Sequence, residues 1–217
     1  MLQNTSSASA RSSSRWLSVE AVIWRALLML GLFVSAMLVK AATPPDNLLA
    51  HGARDGDAPA WAIAVASPAG WTRDCCTYAS AIGVDAVLYQ GQWTGKPQRV
   101  MVLNVSPRKL PTLAEEVQAD RKHFLQSDPS AKVTNLAVQH RTMPCEATVY
   151  QGSDHVDDVV VFCDPGKDSG IRMSWSMTFD DGDPMRRALL DDFMQVVAAS
   201  RYVRYVAPLQ VLPAHGG

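Results

Sequence analysis

The sequence predicts an α+β domain, an antiparallel sheet carrying two main amphipathic helices, and three observations predict it. Apolar residues recur at helical spacing in two segments, around 113–126 and 184–199. Ile171–Phe179 alternates, with Met173, Trp175, Met177 and Phe179 on one face and Ser174, Ser176 and Thr178 on the other. A period of two marks a sheet with one wet face, hence antiparallel pairing. The remaining apolar runs are short and separated by Gly, Pro and Asp turns, giving strands, a helix, four strands and a second helix.

The chain opens with a leader. Arg11, Arg15 and Arg25 precede the 14-residue apolar run Ala26–Val39, and Lys40, Ala41 and Ala42 lead into Thr43-Pro44-Pro45. Basic start, apolar centre and small exit residues predict a signal peptide over 1–41, cleaved after Ala41 or Ala42. The alternative is an uncleaved inner-membrane anchor over residues 21–39, interrupted by Arg25. No Cys lies near the exit, which excludes a lipoprotein anchor. Residues 42–59 predict a flexible linker, 60–203 the domain and 204–217 a loose tail.

Within the domain, Trp61–Ala66 predicts the first strand, closed by the turn Ser67–Gly70, and Trp71 restarts the chain. Strands are predicted at Tyr78–Ile82, Asp85–Gln92 and Arg99–Val105, with a turn at Gly95-Lys96-Pro97. Thr112-Leu-Ala-Glu115 is a capping box opening a helix in which Leu113, Val117, Phe124 and Leu125 form the apolar stripe; Asp128-Pro129 ends it. Lys132–His140, Cys145–Gln151, Val156–Asp164 and Ile171–Phe179 predict four further strands. The closing helix takes Asp183 as N-cap and Pro184 as its first residue, with Leu189, Leu190, Phe193, Met194, Val196 and Val197 facing the core.

This order resembles the Mog1/PsbP-like fold, which includes bacterial exported proteins of the DcrB type. The matching residues are Pro68-Ala69-Gly70-Trp71 after the first strand, the strand Val100–Val105, the mid-chain helix Thr112–Gln126 and the terminal Ala199-Ser200-Arg201-Tyr202, over about residues 60–203. The resemblance implies a fold and a style of function, an accessory or binding module of larger assemblies. It transfers no catalytic residue and no ligand, and the four cysteines depart from the pattern.

Cys75, Cys76, Cys145 and Cys163 form an even set in a chain read as exported, which favours disulfides. A three-residue loop at Ser153–His155 places Cys145 opposite Cys163, Ala147 opposite Val161 and Val149 opposite Val159. Directly opposed residues lie near disulfide range, so the first pair is expected as a staple, with a redox switch as its alternative. For Cys75-Cys76 three arrangements stay open: a vicinal ring, a link outside the domain, or a bond to a partner chain. A C-x-x-C redox motif and the ligand spacings of zinc sites are both missing.

Without residues 1–41 the chain carries 16 basic and 20 acidic residues, a formal charge of −4, which argues against nucleic acid and anionic lipid. Ser153-Asp154-His155 has the letters of a triad, but contiguous side chains cannot converge on one atom. Asp180-Asp181-Gly182-Asp183 lacks the alternating oxygens of a calcium loop and reads as a turn and cap. His51, His123, His140, His155 and His215 show no metal spacing, and Asp157-Asp158 reads as a solvated strand edge. Trp71, Trp93 and Trp175 read as core or interface aromatics, and no phosphate loop or dinucleotide fingerprint occurs. The expectation is a non-enzymatic periplasmic protein-binding module without cofactor or metal, touching a membrane only if the leader stays uncleaved. An immunity protein against an envelope-acting toxin is one variant. A thiol–disulfide redox protein using Cys75-Cys76 is the rival from another class.

Overall fold

In a computed structural model, residues 47–53, 59–94 and 99–204 are described. The leader, the anchor alternative, the turn Gly95-Lys96-Pro97 and nearly all of the tail lie outside them. Among the described residues no helix is long and apolar enough to cross a membrane.

Among the described residues ten strands make two antiparallel sheets, which bears out the α+β class. The small sheet has the order β1-β2-β10, from Leu48–Gly52, Trp61–Ala64 and Arg201–Arg204. The large one runs β3-β4-β5-β9-β8-β7-β6. Its strands are β3 Trp71–Asp74, β4 Ala86–Gln90, β5 Val100–Pro107, β6 Lys132–Leu136, β7 Cys145–Gln151, β8 Val156–Cys163 and β9 Ile171–Asp180. The described residues also hold the α-helices α1 Tyr78–Ala81, α2 Leu113–Ser127 and α3 Arg186–Ala199.

The alternation in β9 sets the two sides of the large sheet. Met173, Trp175, Met177 and Phe179 share one core with Leu88, Met101, Leu103, Val159, Val161 and Cys163. Leu189, Phe193, Val196 and Val197 of α3 enter that core, as do Leu49, Ile63 and Val65 around the small sheet. Helix α2 takes the opposite face, resting on β7 and β8. Its capping box is present, with the Thr112 hydroxyl accepting from the Glu115 N–H and the Glu115 carboxylate accepting from the Thr112 N–H. Of its expected stripe, Leu113 and Val117 are buried and Phe124 stacks on Tyr150, but Leu125 is exposed.

Four differences from the sequence expectation have local causes. Leu48–Gly52 lies in the stretch read as linker, yet pairs with β2 through His51 opposite Ala62 and buries Leu49 and Ala50. Arg201–Arg204, read as helix end and tail, pairs along the other edge of β2. Tyr78–Ala81 is one helical turn instead of a strand, because the Asp74 carboxylate gathers the first N–H groups of the turn. Helix α3 begins at Arg186, because Asp183 caps a preceding turn: its carboxylate accepts from Met185 N at 2.7 Å and its carbonyl from Arg186 N at 2.9 Å. The strand expected over Lys132–His140 also stops at Leu136.

The β7–β8 hairpin has the expected register, Cys145 opposite Cys163, Ala147 opposite Val161 and Val149 opposite Val159. Ser153, Asp154 and His155 form its loop, closed by Gly152 N donating to Val156 O at 2.9 Å. His155 closes the loop at φ 68°, the left-handed conformation of a three-residue hairpin loop. Gly152 cannot carry a side chain without a shift, since a Cβ there would lie 2.7 Å from the Val156 carbonyl oxygen.

Candidate functional site

All four cysteines are paired. Cys145 and Cys163 are bonded across the hairpin with Cα atoms 4.2 Å apart, Cys163 fully buried and Cys145 half-buried. Cys75 is bonded to Cys76, the former packed against the main core and the latter exposed. Asp74 decides what this second pair can do. Its carboxylate accepts N–H bonds from Cys76, Thr77, Tyr78 and Ala79 at 2.7–3.3 Å. Burial pushes the carboxyl up, but those four donors outweigh it and hold the group below its ordinary range. A negative charge thus sits next to the cysteines in the chain, bound to the Cys76 N–H itself. That setting opposes the ionised sulfur on which thiol exchange depends.

The second face of the large sheet carries the polar chemistry. At one end Arg172, 1% exposed, lies with its Nη1 2.9 Å from the Asp164 carboxylate and its Nε 3.3 Å from Glu116 of α2. Both contacts are at ion-pair distance without meeting hydrogen-bond geometry. Arg108 binds the same Asp164 carboxylate and donates to the Pro111 carbonyl, so two cations and two anions close the β5–α2 and β8–β9 connections onto the sheet. At the other end, the Tyr150 hydroxyl donates to Asp120 of α2. Burial and the Asp120 charge push the Tyr150 phenol well up, so it stays a donor. Arg121 donates to Asn135 and Thr148, fixing α2 to β6 and β7. Asp158 accepts from Thr178, and burial, with Asp154, Asp157 and Asp120 nearby, raises its carboxyl.

Between these ends the sheet is less covered. Helix α1 rests on β4, where Tyr78 stacks on Trp93 with centroids 4.8 Å apart and Tyr89 meets both edge-on. Helix α2 rests on β7 and β8. Two aligned rows, Val102–Ser176–Val160 and Asn104–Ser174–Phe162, run across β5, β9 and β8 and floor a trough whose β8 side adjoins α2. All six residues are half-buried. Asp85 and Asp158, both with carboxyls raised by burial, stand at its borders. The floor is made of Val, Ser, Asn and Phe side chains, and these six place no nucleophile beside a base.

The other residues singled out in the sequence diverge. Ser153 N donates to Asp128, the Asp154 carboxylate accepts from Val156 N, and the His155 Nδ1 lies 3.0 Å from Asp181, so the three point apart. Asp157 faces the core side and pairs with Arg186 of α3, which also sits over the Phe179 ring. It is nearly fully buried, against the solvated edge expected for it; Asp158 is half-buried. Trp175 is fully buried, Trp71 is buried and donates to Asp192, and Trp93 belongs to the aromatic cluster. His140 accepts Thr142 N and Met143 N at its Nδ1 and donates Nε2–H to the Ser200 carbonyl. His123 and His51 are exposed, and His215 lies outside the described residues. Among the described residues no three His, Cys, Asp or Glu side chains gather as metal ligands. The Arg172 network, the Asp74 cap and the Tyr150–Asp120 bond went unread in the sequence. An arginine at a polar position of an otherwise Ser/Thr face was the one available signal.

No family model matches the chain, and no curated protein does. Among solved structures it is similar to the cyanobacterial PsbP (CyanoP) of Synechocystis sp. PCC 6803, at 12% identity and TM-score 0.42, over 76% of this chain and 99% of that one. It is also similar to LpqN of Mycobacterium tuberculosis, described as involved in cell envelope biogenesis, at 11% identity and TM-score 0.47, over 68% of this chain and 87% of that one. Likeness at this level assigns neither partner nor residue.

Proposed function

We propose that the chain is a non-enzymatic exported domain that binds another protein of the cell envelope through the trough of its large sheet. The observation that carries this is the half-buried pair of rows Val102–Ser176–Val160 and Asn104–Ser174–Phe162, left between α1 and α2. A half-buried floor of valine, serine, asparagine and phenylalanine suits an apolar segment of a partner. The bordering Asp85 and Asp158 favour basic side chains beside that segment. Export is supported by the leader at 1–41 and by four cysteines that are all bonded, the economy of an oxidising compartment such as the periplasm. The thiol-exchange alternative is disfavoured by Asp74, whose carboxylate accepts the Cys76 N–H and so keeps a negative charge next to the cysteine pair. An envelope-acting toxin is one partner that fits this surface, which would make the chain an immunity protein.

The test is photo-crosslinking in the producing cell. A crosslinker at Ser176 is expected to give one discrete higher-mass adduct with an envelope protein, and one at the exposed Arg187 of α3 is not. No adduct from Ser176, or the same adduct from both positions, contradicts the assignment.

A further inference from the structure

A second surface, away from the trough, carries its own chemistry. The segment 140–142 and the end of α3 enclose a cleft of about 570 Å³, lined by His140, Arg141, Thr142, Gln195, Ala198 and Arg201 among others. That volume falls within the range of small-ligand sites. The charges here run against the rest of the molecule. The chain beyond residue 41 carries a formal charge of −4, yet the lining holds two arginines and no acid. Neither Arg141 nor Arg201 has an ion-pair or hydrogen-bond partner among the described residues, so toward these both guanidinium forks are unspent. The Ala198 and Ala199 methyls and the arginine stems supply apolar wall between those forks.

The walls are also fixed relative to one another. The His140 Nε2 donates to the Ser200 carbonyl at 2.9 Å, joining the 140–142 wall to the end of α3. Its Nδ1 accepts Thr142 N at 3.2 Å and Met143 N at 3.1 Å, which shapes the turn carrying Arg141. Ser200 itself is fully buried and closes the helix by donating its hydroxyl to the Val197 carbonyl. The C-terminal end of α3 lies here too; its partial negative charge attracts the two arginines and opposes an anion, so a carboxylate has to be held by the guanidinium forks themselves. Planar forks of this kind match carboxylate geometry.

We propose that this cleft binds a carboxylate carried on an apolar stem. A fatty acid and the C-terminus of an apolar peptide both present that chemistry. The experiment is a titration of the oxidised protein, followed by amide chemical shifts and calorimetry, with octanoate, acetyl-Ala-Val-Leu with a free carboxylate, the same peptide amidated, octylamine and inorganic phosphate. Saturable binding of octanoate or the free-acid peptide is expected, with shifts concentrated in residues 140–142 and 195–201; whichever binds more tightly identifies the source. The amidated peptide and octylamine are expected not to bind. Arg141→Gln/Arg201→Gln is expected to lose about tenfold or more in affinity, the scale of charge-assisted hydrogen bonds. Both arginines are exposed, so an unchanged circular dichroism spectrum and melting curve should accompany that loss. The proposal is overturned if no carboxylate probe saturates, if the double variant binds as tightly as the parent, or if phosphate binds as well as octanoate.

Discussion

Breaking the Cys145–Cys163 bond should cost about 3 kcal/mol, and the effect can be isolated without changing any atom near it. In a Cys75→Ser/Cys76→Ser background the hairpin bond is the one reducible link among the four cysteines, so adding a phosphine reductant opens it alone. The two positions are 18 apart in the chain. Chain-entropy arguments for a loop of that size give about 11 cal/mol/K, or about 3 kcal/mol at 25 °C, restored to the unfolded chain. The folded hairpin stays paired through seven registered positions, so the native state changes little. Urea unfolding with and without reductant should show the midpoint falling and the m-value rising, because the opened chain exposes more surface when unfolded. Melting should drop by about 6–12 °C, at about 2–4 °C per kcal/mol for a chain of this size. A loss under about 1 kcal/mol with an unchanged m-value would refute the reasoning, since the hairpin would then be closed in the unfolded chain as well.

Three further outcomes follow from the polar face and its borders. Arg172→Met should cost about 3–5 kcal/mol in urea unfolding, because Glu116 and Asp164 lose a buried cation; a loss under about 1 kcal/mol would show the network to be dispensable. Asp74→Ala should cost about 1 kcal/mol and change the fluorescence of Trp93, which stacks on Tyr78 of the capped turn. Because the folded-state pKa of Asp74 is lowered, its contribution is present above the ordinary carboxylate pKa and fades as pH falls through the lowered value. The difference between parent and variant should therefore be constant near neutrality and shrink in acid; a difference that grows in acid contradicts this sign. Asp158 is the opposite case. Its raised pKa means that stability is lost as pH rises from the ordinary carboxylate value through the folded one, so Asp158→Asn should gain on the parent at pH 7 and not below pH 3. Equal unfolding curves at pH 7 would count against the raised carboxyl.

What could be read from the sequence was what local chemistry determines. The β9 alternation, the Thr112–Glu115 box and the 153–155 loop each depend on residues within a few positions, and each is found as expected. The small sheet escaped notice because β1 and β10 are short, carry no clear alternation, and become strands only by pairing with the two edges of β2. Tyr78–Ala81 was misread for the same reason in reverse: its aromatic and small residues fit a strand, and the Asp74 carboxylate, several positions earlier, makes it a helix. The trough was hidden because the polar alternate residues of β9 say that one face is wet, but not how much of it α2 covers. Arg172 shows the limit most sharply. By pattern it belongs to the wet face, and by its contacts with Glu116 and Asp164 it is buried.

The central claim is that the trough is where a partner binds, and Ser176 lies at its middle, between Val102 and Val160. The direct measurement is retention of the crosslinked partner from envelope extract by the parent and by Ser176→Arg, with circular dichroism and melting confirming that both are folded. The parent should retain the partner and the arginine variant should lose it. Equal retention by the two folded proteins would contradict the claim.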